Sequence, residues 1–163
     1  MVILGIDPGL AHTGWGVIET RASQSRARAY GCITTSSDEQ LDQRLAHIFR
    51  EIQQVVHTYQ PTELGIESVY FGHNTSAAIL TAQARGAALV ACSSLELNVG
   101  EYTPIQIKQS VVGAGRAEKH QVMYMTAQIL KLDHLPKPDH AADALAAALT
   151  HAHSLHMKHQ LGR

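Results

Sequence analysis

The sequence predicts an α/β fold: a five-stranded mixed sheet flanked by helices on both faces. Three observations carry this. Residues 2–6 (Val-Ile-Leu-Gly-Ile) are a continuous apolar run stopped by Asp7-Pro8-Gly9, the pattern of a buried central strand ended by a turn. Two more strand-like runs, 14–20 and about 27–34, follow with only a polar break near residues 23–25, a spacing that suits an antiparallel meander. After them helical and strand periods alternate, which layers helices on a sheet.

The later elements follow in order. Ser36, Ser37 and Asp38 open a helix in which Leu41, Leu45, Ile48, Ile52, Val55 and Val56 recur at spacings of three and four, and Pro61 lies beyond its end. Leu64-Gly65-Ile66 is a short strand ending at Glu67, residues 75–92 form an Ala-rich helix, and residues 97–102 form the fifth strand. Pro104 starts a short helix that stops near Gly113. Glu118 to about Leu132 is helical, with Val122, Met125, Ile129 and Leu132 on one face. The last helix starts near Pro138 or Asp139, with Asp139 as its N-cap, and runs into a tail carrying His151, His153, His156 and His159. The first strand is the most apolar and therefore central. A right-handed crossover through the first helix brings the fourth strand beside it.

The 163 residues suit one domain, expected over 1–157 with a flexible tail at 158–163. With 45% hydrophobic and 17% charged residues, disordered, coiled-coil and collagen-like chains are excluded. A net charge of −1 does not announce a nucleic-acid binder. Distribution is more telling: between residues 104 and 137, Lys108, Arg116, Lys119, Lys131 and Lys137 face only Glu118 and Asp133, a local +3. Cys32 and Cys92 lie in apolar runs and read as free thiols. No signal peptide and no membrane-length apolar run is present, so a cytoplasmic protein is expected.

Chemistry concentrates in four residues. Asp7 and Glu67 each follow a buried apolar run, and neighbouring parallel strands would bring both carboxylates to the carboxyl edge of the sheet, where open α/β sheets bind ligands. Carboxylates placed there need a compensating cation or donor. His140 and Asp143 stand three apart in the first turn of the last helix and share a face. Singly, each has an ordinary structural reading. Together, three carboxylates and an imidazole suit Mg²⁺ or, given the imidazole, Mn²⁺. A pair of such ions would suit in-line displacement at phosphorus.

Ordered motifs add a resemblance. Ile6-Asp7-Pro8-Gly9-Leu10 with Thr13-Gly14-Trp15-Gly16, Ile66-Glu67-Ser68-Val69-Tyr70, Ala82-Gln83-Ala84-Arg85-Gly86, Lys108-Gln109-Ser110-Val111-Val112-Gly113, Ala117-Glu118-Lys119 and His140-Ala141-Ala142-Asp143-Ala144-Leu145-Ala146 resemble, in order, the RuvC family of bacterial Holliday junction resolvases. The resemblance implies an RNase H-like fold and a homodimeric, divalent-metal endonuclease. Such an enzyme cuts four-way junction DNA by paired symmetric nicks during recombination and repair. It implies Mg²⁺ or Mn²⁺, two ions per subunit, held by Asp7, Glu67, His140 and Asp143, and as further partners the RuvA and RuvB branch-migration proteins. Many family members carry Asp where His140 stands, and Asp139, one position earlier, is the alternative ligand.

The same resemblance puts Lys108 and Lys119 against DNA, and Arg116 lies between them. Tyr70 matches a family aromatic that could stack on an unpaired base, whereas Phe71 reads as a packing anchor. The helix over 75–92 is apolar on nearly all sides, as expected if the sheet covers one face and a second subunit the other. An ATPase of the actin and hexokinase type would need two related domains, for which 163 residues are too few.

Overall fold

Strands β1 (Val2–Asp7), β2 (His12–Arg21), β3 (Gln24–Thr34), β4 (Glu63–Glu67) and β5 (Asn98–Tyr102) form one sheet in the order β3-β2-β1-β4-β5. The computed structural model describes residues 1–69, 74–93 and 96–162. β1 is central, antiparallel to β2 and parallel to β4, with Ile6 opposite Ile66. β4 pairs in parallel with β5. The helices are α1 (Leu41–Tyr59), α2 (Thr75–Ser93), α3 (Pro104–Val112), α4 (Lys119–Leu130) and α5 (Asp139–Gln160). This is the five-stranded mixed sheet expected from the sequence, with helices on both faces.

The period-two alternation of the strands sorts the core into two layers. Leu4, Ile6, Leu64 and Ile66 point to one face, where they meet Ile48, Ile52 and Val56 of α1 and Ala84, Ala88 and Ala91 of α2. Ile3 and Ile18 point to the other, where Leu145, Leu149 and the alanines of α5 cover them, with Ile107 of α3 and Val122 of α4 completing the layer.

The second face has an unusual floor. Gly16 pairs with Gly5, Gly5 with Gly65, and Gly65 with Gly100, so four strands contribute one row of glycines. Helix α5 sinks into this furrow. A Cβ on Gly5 would overlap the Ala144 carbonyl, one on Gly65 would come within 2.6 Å of the Ala147 carbonyl, and one on Gly100 would overlap the His151 ring. Only hydrogen at these Cα atoms lets helix backbone approach sheet backbone so closely.

Several boundaries differ from expectation. α1 begins at Leu41 rather than at Ser36–Asp38, because the Ser36 hydroxyl accepts from the Asp38 N–H (3.2 Å) and spends itself on a local turn. On α4, which ends at Leu130, the buried set is Val122, Met123, Thr126, Ala127 and Leu130, while Met125, Ile129 and Leu132, the last just beyond the helix, pack only partly. Pro138, not Asp139, is the N-cap of α5, so Asp139 and His140 lie in the first turn and Asp143 just beyond it. The helix continues through Gln160, so the expected tail from residue 158 starts inside its last turn. His151 and His153 are not tail residues either: His151 is buried and His153 lies 3.0 Å from the Ser110 hydroxyl. Among the described residues no helix is long and apolar enough to cross a membrane.

Candidate metal centre

β1 and β4 end side by side, and Asp7 and Glu67 leave the sheet on the face covered by α5. Gly14, paired with Asp7 across β1 and β2, has no side chain, and the carbonyl of His140 occupies that space. The start of α5 is thereby pressed onto the strand ends. His140 Nδ1 lies 2.8 Å from Asp7 Oδ2, with the ring N–H donating to the carboxylate. Asp143 follows one turn later. Ligand atoms of Asp7, His140 and Asp143 all lie within 4.8 Å of one another, the one such triple among the described residues. Glu67 stands outside that triple yet close enough for its carboxyl to feel both Asp7 and Asp143.

Electrostatics reports the crowding. Burial raises the Asp7 pKa above its ordinary value despite the His140 hydrogen bond, and Asp143 adds to the rise. Burial, then repulsion from Asp7 and Asp143, lifts Glu67 to about 7, with Lys119 and Lys108 pulling the other way. Two carboxylates resisting ionisation, beside a third and an imidazole, form a donor set that a divalent cation suits. Ligands about 2.1 Å from one ion lie at most about 4.2 Å apart, so the triple, gathered within 4.8 Å, needs only a small closure to hold one.

Lys119 sits at the first position of α4, after the N-cap Glu118, whose backbone N–H donates to Gln121 Oε1 (2.8 Å). Its Nζ lies 3.0 Å from Asp143 Oδ2 and 3.6 Å from Asp139 Oδ2. Burial would lower its pKa, but the two aspartates outweigh this and hold it above the ordinary value. Lys108 joins Lys119, Glu67 and Asp143 in lining a cleft beside the acids. Arg116 lies in the turn between α3 and α4 and does not line that cleft. Asp139 is exposed, pairs with Lys119 and lies outside the ligand triple, so the alternative ligand is not brought to the cluster. Tyr70 and Phe71 lie outside the described residues.

Three contributors are not evident from local sequence. The His12 ring stacks on His140 with centroids 5.3 Å apart and planes 19° from parallel. Arg85 on α2 donates through Nε to the Glu67 carbonyl (3.4 Å) and pairs with Glu101 (2.6 Å), tying the end of β4 to its neighbours. Glu63, at the opposite end of β4 from Glu67, meets His151. Strand alternation places Glu63, Gly65 and Glu67 on one face, and that is the available signal.

A family model described as crossover junction endodeoxyribonuclease RuvC matches residues 3–151. The chain belongs to the RuvC family. A RuvC from Clostridioides difficile (strain 630) is 47% identical over 154 residues, spanning 94% of this chain and 91% of its own. One from Alkaliphilus metalliredigens (strain QYMF) is 45% identical over 158 residues, spanning 97% of this chain and 96% of its own. The solved structure of Thermus thermophilus RuvC in complex with Holliday junction substrate superposes with a TM-score of 0.92 at 37% identity, covering 96% of each chain. The fold is thus the RNase H-like fold of RuvC, and the chain is an endodeoxyribonuclease, as the resemblance implied. In this RuvC-family member the acid cluster at the sheet edge is the site that could hold a metal ion.

Proposed function

We propose that this protein resolves Holliday junctions as a homodimer, hydrolysing one phosphodiester in each of two symmetric strands with two divalent ions, Mg²⁺ or Mn²⁺, per subunit. The observation that carries this is the convergence of Asp7, His140 and Asp143 within 4.8 Å, with Glu67 beside them, from segments as far apart as residues 7 and 143. Asp7, Glu67, His140 and Asp143 hold the ions, which when bound supply an activated water and a stabilised leaving 3′ oxygen. The imidazole of His140, stacked on His12, keeps one orientation toward Asp7.

The cations of the site receive the DNA. Lys119 balances Asp143 and Asp139 in the free protein, and with Lys108 it presents positive charge along the cleft to a scissile phosphate. Arg116 adds a phosphate contact, and the Tyr70 ring stacks on an unpaired base of the junction. Helix α2 exposes Ile79 (50%), Leu80 (41%) and Val90 (61%) on the side away from the core, a surface suited to the second subunit of a two-fold dimer. Such a dimer offers two equivalent sites to a two-fold symmetric junction. The protein works in the cytoplasm with RuvA and RuvB branch-migration proteins, from a single nuclease domain over residues 1–157.

The deciding experiment incubates the purified protein with a synthetic four-way junction, with and without Mn²⁺, and maps the nicks. Paired nicks of like polarity that need the metal, leaving ligatable ends, are expected. Asp7→Asn abolishes them while junction binding persists. Binding without cleavage at any metal concentration would overturn the reading in favour of a junction-binding module.

A further inference from the structure

Helix α5 carries two histidine–carboxylate pairs, one at each end of the glycine furrow. His140 meets Asp7 at the candidate metal centre. Eleven residues later, about three turns and therefore on the same side of the helix, His151 Nε2 lies 2.8 Å from Glu63 Oε2. His151 is 5% exposed and Glu63 8%, so this pair is sealed from water. Glu63 also accepts from Asn98 Nδ2 (3.0 Å), and His151 Nδ1 lies 2.8 Å from the Tyr102 hydroxyl. The Tyr102 ring meets the imidazole edge-on at 5.9 Å. One assignment satisfies every group: Nε2–H donates to the Glu63 carboxylate and Nδ1 accepts from the Tyr102 O–H.

The furrow explains why such a device is needed. Side-chain ridges set how far a helix can slide along its support. Here Gly5 and Gly65 face the Ala144 and Ala147 carbonyls, and the aliphatic ridges that oppose a shift along the axis are confined to Leu145, seated on Gly16, and Leu149. A one-residue slip moves α5 by about 1.5 Å, far beyond the ~0.2 Å that metal ligation tolerates. Directional polar pairs sharpen the register that these two leucines set only coarsely. The far pair is joined to the strands that carry the acids: Glu63 and Glu67 are the two ends of β4, and the Tyr102 carbonyl accepts from the N–H of Ser68 (2.9 Å), the residue after Glu67.

We propose that His151, held by Glu63 and Tyr102, is a positioning residue that sets the axial register of α5 and hence the placing of His140 and Asp143 against Asp7 and Glu67. This rests on the metal-site reading above. The test measures Mn²⁺ affinity of the DNA-free protein by electron paramagnetic resonance, alongside thermal unfolding. His151→Phe keeps the ring and removes both polar contacts, and its Mn²⁺ affinity falls about tenfold. Ile52→Ala, on the opposite face of the sheet, lowers the unfolding temperature yet binds Mn²⁺ as the wild type does, which separates register from general destabilisation. Glu63→Gln retains affinity within about threefold, because its amide can donate to Nε2 while the ring donates through Nδ1 to the Tyr102 oxygen. If His151→Phe does not fold, Tyr102→Phe replaces it, with a loss of roughly threefold expected. Wild-type affinity in the folded variant overturns the proposal. An Asp7→Asn protein that binds Mn²⁺ as well as wild type overturns the metal reading itself.

Discussion

The two faces of the sheet are built on opposite principles. Toward α1 and α2 the strands present Leu4, Ile6, Val17, Leu64 and Ile66 to Ile48, Ile52, Val55 and Val56. Each such side chain contributes about 1.5–3 kcal/mol by burial, and the layer tolerates exchange of one aliphatic for another. Toward α5 the sheet presents glycines, and the helix answers with alanines and two histidine–carboxylate pairs. Backbone lies almost on backbone there, so nothing can be enlarged. One face therefore supplies stability through bulk. The other sacrifices bulk to hold the carboxylates of strand and helix at ligand distance.

This contrast can be broken first at Gly5. An added methyl would overlap the Ala144 carbonyl, so Gly5→Ala must lift α5 from the sheet. The expected cost is about 3 kcal/mol or more, with loss of junction cleavage. A wild-type unfolding temperature by circular dichroism would show that the furrow is not tight.

The second test is pH. Glu67 is raised to about 7 in the folded, metal-free protein. The folded state then binds its proton more tightly than the unfolded chain does, so this contribution is full below pH ~4.5 and lost as pH rises through about 7. Up to ~3 kcal/mol is expected to disappear across that window. Asp7, also raised, acts in the same direction. Glu67→Gln flattens the profile in urea titrations, and saturating Mn²⁺ reverses the decline at the upper end. A metal-free protein equally stable at pH 5 and pH 8 would contradict the buried-acid account.

Ile52→Val tests the tolerant face. It removes one methylene from a fully buried side chain and should cost about 1 kcal/mol with cleavage unchanged. A marked loss of cleavage would mean that the two faces are coupled. The smallest effect on stability belongs to Lys119→Ala. Its partially exposed pairs with Asp143 and Asp139 are worth under ~1 kcal/mol to the fold. If the lysine meets phosphate, log–log salt dependence of junction binding becomes shallower by about one unit. An unchanged slope would confine Lys119 to balancing Asp143.

Much of this is legible in the residues. The apolar run before Asp7 marks the central strand, and the crossover rule places Glu67 beside it, because both depend on local pattern and chain handedness. The i,i+3 spacing of His140 and Asp143 is readable for the same reason. Asp139 does not cap the last helix as its residue type suggests, since Pro138 already occupies that position. The histidines at 151 and 153 read as tail, since nothing local reveals that Glu63 and Ser110, 88 and 43 residues away, wait to receive them.

The sequence by itself determined the strand and helix inventory, the central first strand with the fourth beside it and which acids reach the sheet edge, because periodicity, turn residues and crossover handedness act over short stretches of chain. Only the tertiary structure decided that four glycines on four strands line up into a furrow, that α5 lies in it, and that Lys119 turns to Asp143. Those outcomes are sums over groups remote in sequence: a missing Cβ has no meaning until another backbone arrives to occupy its place, and a carboxylate's charge state follows from neighbours that only packing supplies.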